Sequence, residues 1–484
     1  MQSRRDQVQA HLFVMSRLAA GMLRAEPDAP DIPTGRTTRG VRNGLFIGVG
    51  IALIMGLYGV IVPGGATGWR KPGTLIVVTE TGARFLYLGG ELHPVLNQAS
   101  AKLIAGEKMV LTDVREKSLG DTPRGGAVGI LGAPDALPSA KSLSGDGWLA
   151  CAARETTPSG STAPGLALVI APDRDGNPLT ATDGVLIATP DGTPYLLRQG
   201  KRHKLDTANG APRALGYSGT TPYPVTTAFL NALPVGADLA PPDVPGRGTD
   251  GPSLAGRPTR IGQLFTGPAG EHYLLGQGGL EQITATVFEL LRGDPRTQSS
   301  AYGNTPALAL PIGAADLADH PPVATAHGTD LPAEPPKLLN PAQGQSICAE
   351  LRPAAAGPIT LVTVVDTAAL GGRAPSREPG ILPTCTEADR IAVRPGGGAL
   401  VRALSGGGTG ATDYLVTDNG VKYPLPNKDA EKKLGYAGAI PVGVPDTLLT
   451  LLPTGPSLDP AALANGGVVS RLAPADACTP VKGG

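Results

Sequence analysis

The residues best suited to covalent chemistry in this 484-residue chain are its four cysteines, Cys151, Cys348, Cys385 and Cys478. A zinc site needs closely spaced ligands, and no Cys-x-x-Cys pair or histidine cluster accompanies them. Disulfides are the better reading, and four cysteines allow three pairings. Cys151 lies in "WLACAARETTPSGSTAPGLALVI" (148–170) and Cys348 in "SICAELRPAAAGPITLVTVV" (346–365). Both segments carry a Cys in a short apolar strand, then a Pro/Gly-rich loop, then an almost unbroken apolar run. Equivalent cysteines on strands related by a twofold can face each other at its axis. The preferred pairing is therefore Cys151 with Cys348, which leaves Cys385 for Cys478 and ties the C-terminal tail to the core.

Other chemistry is sparse. No Gly-x-x-x-x-Gly-Lys-Ser/Thr sequence occurs, and "SGGGTG" (405–410) is followed by Ala and Thr where a phosphate loop needs Lys. Neither a Gly-x-Ser-x-Gly elbow nor a His-Glu-x-x-His motif is present. His93, before Pro94, reads as a packed or surface histidine. Arg202-His203-Lys204 reads as a solvated face. Asp173, Asp175 and Asn177 in "DRDGNP" echo a calcium loop but lack its length and terminal Glu. No catalytic, cofactor or metal residues are expected. The 41 basic and 41 acidic residues balance, so no nucleic-acid partner is expected either.

The elements that position these residues begin with a membrane span. "GLFIGVGIALIMGLYGVIV" (44–62) is uncharged, and about 20 such residues cross a bilayer as a helix. Pro63 stops it, and Trp69 is expected at the lipid interface. Arg36, Arg39 and Arg42 flank the span more heavily than Arg70 and Lys71, which predicts a cytoplasmic N-terminus and an extracytoplasmic 64–484. Within the leader, Ser3 to Arg24 predicts a helix opened by a capping box at Ser3-Arg4-Arg5-Asp6. Val8, Leu12, Met15, Ala19 and Met22 fall on one face, a stripe that either docks on a partner at the inner membrane surface, the preferred reading, or lies in the lipid interface.

Beyond the span the chain repeats itself. Four segments open on an aromatic and Leu: "FLYLGGELHPVLN" from Phe85, "YLLRQGKRHKLDT" from Tyr195, "YLLGQGGLEQITA" from Tyr273 and "YLVTDNGVKYPLP" from Tyr414. Each predicts a β-hairpin closed at a Gly-containing turn, followed by a helix. The second and fourth share Leu-Gly-Tyr, at 215–217 and 434–436. A Pro-x-Gly corner follows each aromatic at 38 or 39 residues, at Pro123, Pro234, Pro311 and Pro453.

The expected fold is mixed α/β: one transmembrane helix, then a pseudo-twofold β-sheet core with four hairpin-plus-helix lobes. The expected divisions are a leader (1–43), the span (44–62), lobe 1 (63–140), core piece 1 (141–184), lobe 2 (185–250), lobe 3 (251–337), core piece 2 (338–405), lobe 4 (406–465) and a tail (466–484).

Several of these stretches together resemble the EccB family. They are the leader "SRRDQVQAHLF", the span ending before Gly68-Trp69, "KPGTLIVV" (71–78), "LHPVLNQASAKLI" (92–104), "GILGAPDALP" (129–138), "YLVTDNGVKYPL" and the Leu-Pro-x-Gly corners. EccB is the single-span membrane component of the actinobacterial type VII (ESX) secretion machine. The resemblance covers nearly the whole chain. It implies a channel-complex subunit that works with the EccC motor ATPase, EccD, EccE and further EccB copies, near secreted protein substrates. It also implies a β-sheet core with four repeat lobes and a disulfide at Cys151 and Cys348. Family members are often labelled ATPases, a label that no nucleotide motif supports here. The competing expectation is an extracytoplasmic nucleotide or cell-wall hydrolase with repeat binding lobes, which lacks a catalytic constellation.

Overall fold

The computed structural model describes residues 4–24, 34–61, 67–156, 162–172, 176–324, 327–354, 357–405 and 408–470. The chain divides into two compact units. The first comprises Met1–Arg70, Val77–Ala83 and Thr112–Thr122; the second holds the rest.

In the first unit, a helix runs Arg4–Arg24 and a second runs Thr34–Ile61. The second helix starts ten residues before the expected Gly44 and runs through the Asn43-Gly44 turn signal, with no proline between Thr34 and the apolar run. Its Thr37–Gly59 stretch is long and apolar enough to cross a membrane. Ser3 of the expected capping box and Pro63 lie outside the described residues. Trp69 corrects an expectation. It is fully buried, with the Arg70 guanidinium 5.1 Å over its ring, so it is not exposed to lipid.

The second unit is built on a six-stranded sheet. Its middle strands, Trp148–Thr156 and Gln345–Arg352, run antiparallel with Cys151 opposite Cys348. Outside them lie Thr162–Ile170 and Ile359–Asp366, the two apolar runs. The edges are exchanged between halves. Arg390–Val393, late in the chain, pairs with Thr162–Ile170, and Asn177–Pro178, early in the chain, pairs with Ile359–Asp366. One face of this sheet buries Trp148, Ala150, Leu168, Ile347 and Ala349 against residues such as Phe229 and Val444 from flanking sheets. The other face carries Cys151 and Cys348, joined as a disulfide. No described cysteine is free, and Cys478, the expected partner of Cys385, lies outside the described residues.

All four expected hairpins are present. Phe85 pairs with Pro94, Tyr195 with Lys204, Tyr273 with Gln282 and Tyr414 with Pro424. In the last three, the sheet adds an antiparallel strand before the hairpin and a parallel return strand after the helix. Tyr223–Pro224 returns beside Asp183–Ala188, Leu310–Pro311 beside Leu264–Thr266, and Val442–Pro445 beside Gly398–Ser405. Gly398–Ser405 was expected in core piece 2, but its pairing places it in the fourth hairpin sheet.

The Pro-x-Gly corners cover the outer hairpin edges. The Leu92 N–H donates to the Pro123 carbonyl and the Gly125 N–H to the Leu92 carbonyl. Pro234 and Gly236 bracket Arg202 in the same way, as Pro453 and Gly455 bracket Lys422. This pairs an otherwise bare edge, a standing aggregation hazard. The glycine is required by a ring. A Cβ at Gly125, Gly236 or Gly455 would lie 2.2–2.3 Å from His93, His203 or Tyr423. Pro311 breaks the pattern and corrects the expectation. The third sheet inserts two helices, Ala285–Gly293 and Pro295–Ala301, where the second has only Ala211–Ala214. That insertion carries Leu310–Pro311 into the return strand, and its 38-residue spacing coincides by accident. The corner's role falls instead to Val323, whose N–H donates to the Leu280 carbonyl at 2.8 Å. The residue after Leu280 is Glu281, not a ring, so no glycine is needed.

Candidate assembly surfaces

The titratable groups singled out in the sequence are occupied in structural roles. His203 is buried, contrary to the solvated face expected, and its Nδ1–H donates to the Ala237 carbonyl at 2.8 Å. Burial lowers its pKa below the ordinary histidine value. His93 donates likewise to the Gly126 carbonyl at 3.0 Å. The Leu-Gly-Tyr tyrosines are buried, and Tyr217 and Tyr436 donate to the Pro336 and Pro138 carbonyls, each at 2.8 Å. Desolvation pushes Tyr217 up to about 12. In the Gly-rich 405–410 stretch, Ser405 lies opposite Gly408, and Leu404 opposite Thr409, in paired antiparallel strands. Residues 406–407 lie outside the described residues, as do Asp173 and Asp175 of the calcium-like loop. Among the described residues, no group of three or more His, Cys, Asp or Glu is placed to hold a metal.

A cleft of about 430 Å³ lies between the second and fourth sheets, lined by Arg202, Asn231, Tyr414, Lys422 and Asp446. Its cations cap helix ends rather than awaiting a substrate. Arg202 Nη1 donates to the Leu230 carbonyl at 2.9 Å, and Lys422 Nζ donates to Leu449 and Leu452 at 2.6 and 2.7 Å. Burial pulls the Lys422 ammonium down to about 8. Between that value and the 10.5 of an unperturbed lysine, the unfolded chain holds more protons, so stability rises with pH across that window. Lys422→Met takes the Nζ donor from the Leu452 carbonyl and one of two donors from that of Leu449, and is expected to cost about 2 kcal/mol at neutral pH. It should also flatten the rise between about pH 8 and pH 10 in urea-unfolding series.

Contact surfaces are more prominent than any catalytic group. On Arg4–Arg24, Val8, Leu12, Met15, Ala19 and Met22 share a face that Leu18 widens; Val8, Leu12, Met15, Leu18 and Met22 are 55–82% exposed. The hairpin tips differ between sheets. A Cβ at Gly200 would lie 1.7 Å from the Thr360 carbonyl oxygen, and one at Gly420 would lie 2.8 Å from Ile391. The second and fourth tips are therefore pressed onto the core sheet's outer strands. Gly90 and Gly278, in the first and third tips, have no atom within 4 Å of such a Cβ. The first and fourth sheets also meet through their helices, where Lys102 Nζ donates to the Leu434 carbonyl at 3.2 Å. The second and third meet where Gly293 lies against Ala214.

Comparison with known proteins places this arrangement. ESX-3 secretion system ATPase EccB3 of Mycobacterium tuberculosis is 28% identical over 517 residues, covering 97% of this chain and 91% of that protein. A chain from the structure of the periplasmic assembly of the ESX-5 inner membrane complex matches at 25% identity. Its TM-score is 0.66, covering 86% of this chain and all of that one. The EccB3 dimer from the ESX-3 core complex matches at 25% identity and a TM-score of 0.62, covering 80% of this chain and 98% of its own. Residues 1–469 match the family described as type VII secretion system ESX-1, transport TM domain B, and the chain therefore belongs to the EccB family of type VII secretion membrane proteins.

Proposed function

We propose that this protein is a structural subunit of an ESX-type inner-membrane complex, anchored by one helix and joined to its neighbours through its lobes. The observation that carries this reading is the likeness to chains solved within such assemblies, which covers 80–86% of this chain. Arg39 and Arg42 at the start of the span favour a cytoplasmic N-terminus, with 64–484 outside. The Arg4–Arg24 face then meets the EccC motor ATPase or its membrane companions EccD and EccE, while the lobes meet further EccB copies.

The second unit is best read as a pseudo-twofold body. The axis runs between the two middle strands, the core edges are exchanged, and two lobes flank each end. Lobes 2 and 4 press their tips on the core, and lobes 1 and 3 stand outside them. Cys385 with Cys478 remains the proposed second disulfide. The word ATPase in the relative's name has no counterpart in a strand–loop–helix phosphate cradle among the described residues; Leu404 and Ser405 pair with Thr409 and Gly408 as strands.

Native gels of the full-length protein, extracted from its own membranes in mild detergent, test this reading. One very large band shared with the motor ATPase is expected. Deleting residues 4–24 should remove the motor from that band while the lobes keep their own contacts. Migration of the intact chain alone as a monomer or dimer would overturn the scaffold role.

A further inference from the structure

The chain passes from the second sheet to the third through 239–247, whose middle is Pro241-Pro242. A residue has two soft torsions, φ and ψ, and proline locks the first. The two prolines keep only ψ, which sets where each carbonyl points. Both carbonyls are gripped. Arg296 Nη2 donates to Pro241 at 3.2 Å, and Arg247 Nη2 donates to Pro242 at 3.1 Å. Every soft torsion of the double proline is therefore held.

One carboxylate anchors both guanidiniums. Asp294 is fully buried at the joint between Ala285–Gly293 and Pro295–Ala301. It receives Arg247 Nη1 at 2.6 Å and Arg296 Nη2 at 3.1 Å, and its Oδ1 caps the second helix at the Arg296 N–H. Stripping a buried charge of its partners is strongly unfavourable, so the grip is firm. Two glycines let the parts close. A Cβ at Gly262 would lie 2.8 Å from Arg247 Cγ, and one at Gly248 would lie 2.7 Å from the Ser300 carbonyl oxygen. The two helices are the insertion that separates the third sheet from the second, so the insertion brings the clamp with it.

We propose that Asp294, acting through Arg247 and Arg296, fixes the heading of the third sheet against the second, so that it stands as a stiff arm for a docking partner. An arm set in advance loses little freedom when the partner arrives. The use of the arm rests on the subunit reading above; the clamp does not, and its test needs no partner.

Hydrogen exchange of the full-length protein in detergent at neutral pH tests the clamp. In wild type, 239–249 should exchange about a hundredfold slower than an open chain. Asp294→Asn keeps a cap acceptor but discharges the anchor. Protection should then fall about tenfold in three places together. These are 239–249, 211–217, where Ala214 meets Gly293, and 337–339, which follows the pairing of Lys337 and Leu338 with 183–184. The hairpin 272–283 and the strand Trp148–Thr156 should not change. Arg296→Gln, at a half-exposed side chain, should give a smaller fall in the same three places. A change confined to 239–249 means local fraying and overturns the proposal. A fall that includes 272–283 means that Asp294 supports the sheet itself, and no change means that packing sets the heading; both overturn it. Free exchange of 239–249 in wild type overturns it whether or not either variant folds.

Discussion

Replacing Cys151 and Cys348 together by alanine is expected to lower the stability of the second unit by about 3–5 kcal/mol. The bond joins residues 197 apart, and closing so long a loop removes much unfolded-chain entropy. Both sulfurs are fully buried in the sheet, so the loss also leaves a small void. The seam it ties is the antiparallel pairing of Trp148–Thr156 with Gln345–Arg352 at the middle of the six-stranded sheet. Urea unfolding should show an earlier midpoint, and exchange should rise first along that seam. An unchanged midpoint would mean that the strand pairing alone holds the halves.

Gly200→Ala is the second large effect expected, at about 3 kcal/mol or more. Gly200 has φ +73°, which alone disfavours a side chain by about 1 kcal/mol. The added methyl would also meet a backbone carbonyl, which cannot rotate away as a side chain can. The tip must lift from Ile359–Asp366, and exchange in that strand is the sensitive measurement. Gly90→Ala at the equivalent first tip, with φ +92° and open space around it, should cost only about 1 kcal/mol. Equal losses at both positions would show that backbone conformation, not docking, is what Gly200 supplies.

These two predictions mark what could and could not be read from residues alone. The hairpins were legible because Asn-Gly and Gly-Gly turns act locally, and the span because nineteen uncharged residues have few other uses. The two cysteine strands were legible by their likeness to each other. The docking of Gly200 was not, because its reason lies on Thr360, far along the chain. Pro311 misled because equal spacing hid the insertion of two helices, Ala285–Gly293 and Pro295–Ala301. His203 and Trp69 misled because burial is decided by what folds over a residue, and charged neighbours at 202 and 204 say nothing of that. Rings beside the corner glycines would have been a usable signal: His93, His203 and Tyr423 each follow the bracketed residue, and Glu281 marks the exception.

The exchanged edges of the core sheet have a consequence for biogenesis. Trp148–Thr156 and Thr162–Ile170 form a local hairpin as soon as both are made, but the free edge of the first strand waits for Gln345–Arg352. The edge of the second waits longer still, for Arg390–Val393. At ordinary synthesis rates, the first wait lasts about ten to forty seconds. Through that interval an apolar ribbon with two bare edges stands open while the intervening sheets fold. A folding helper that shields strands would act in that interval. Substitutions on those edges would then reduce yield in the cell more than they reduce the stability of the finished protein.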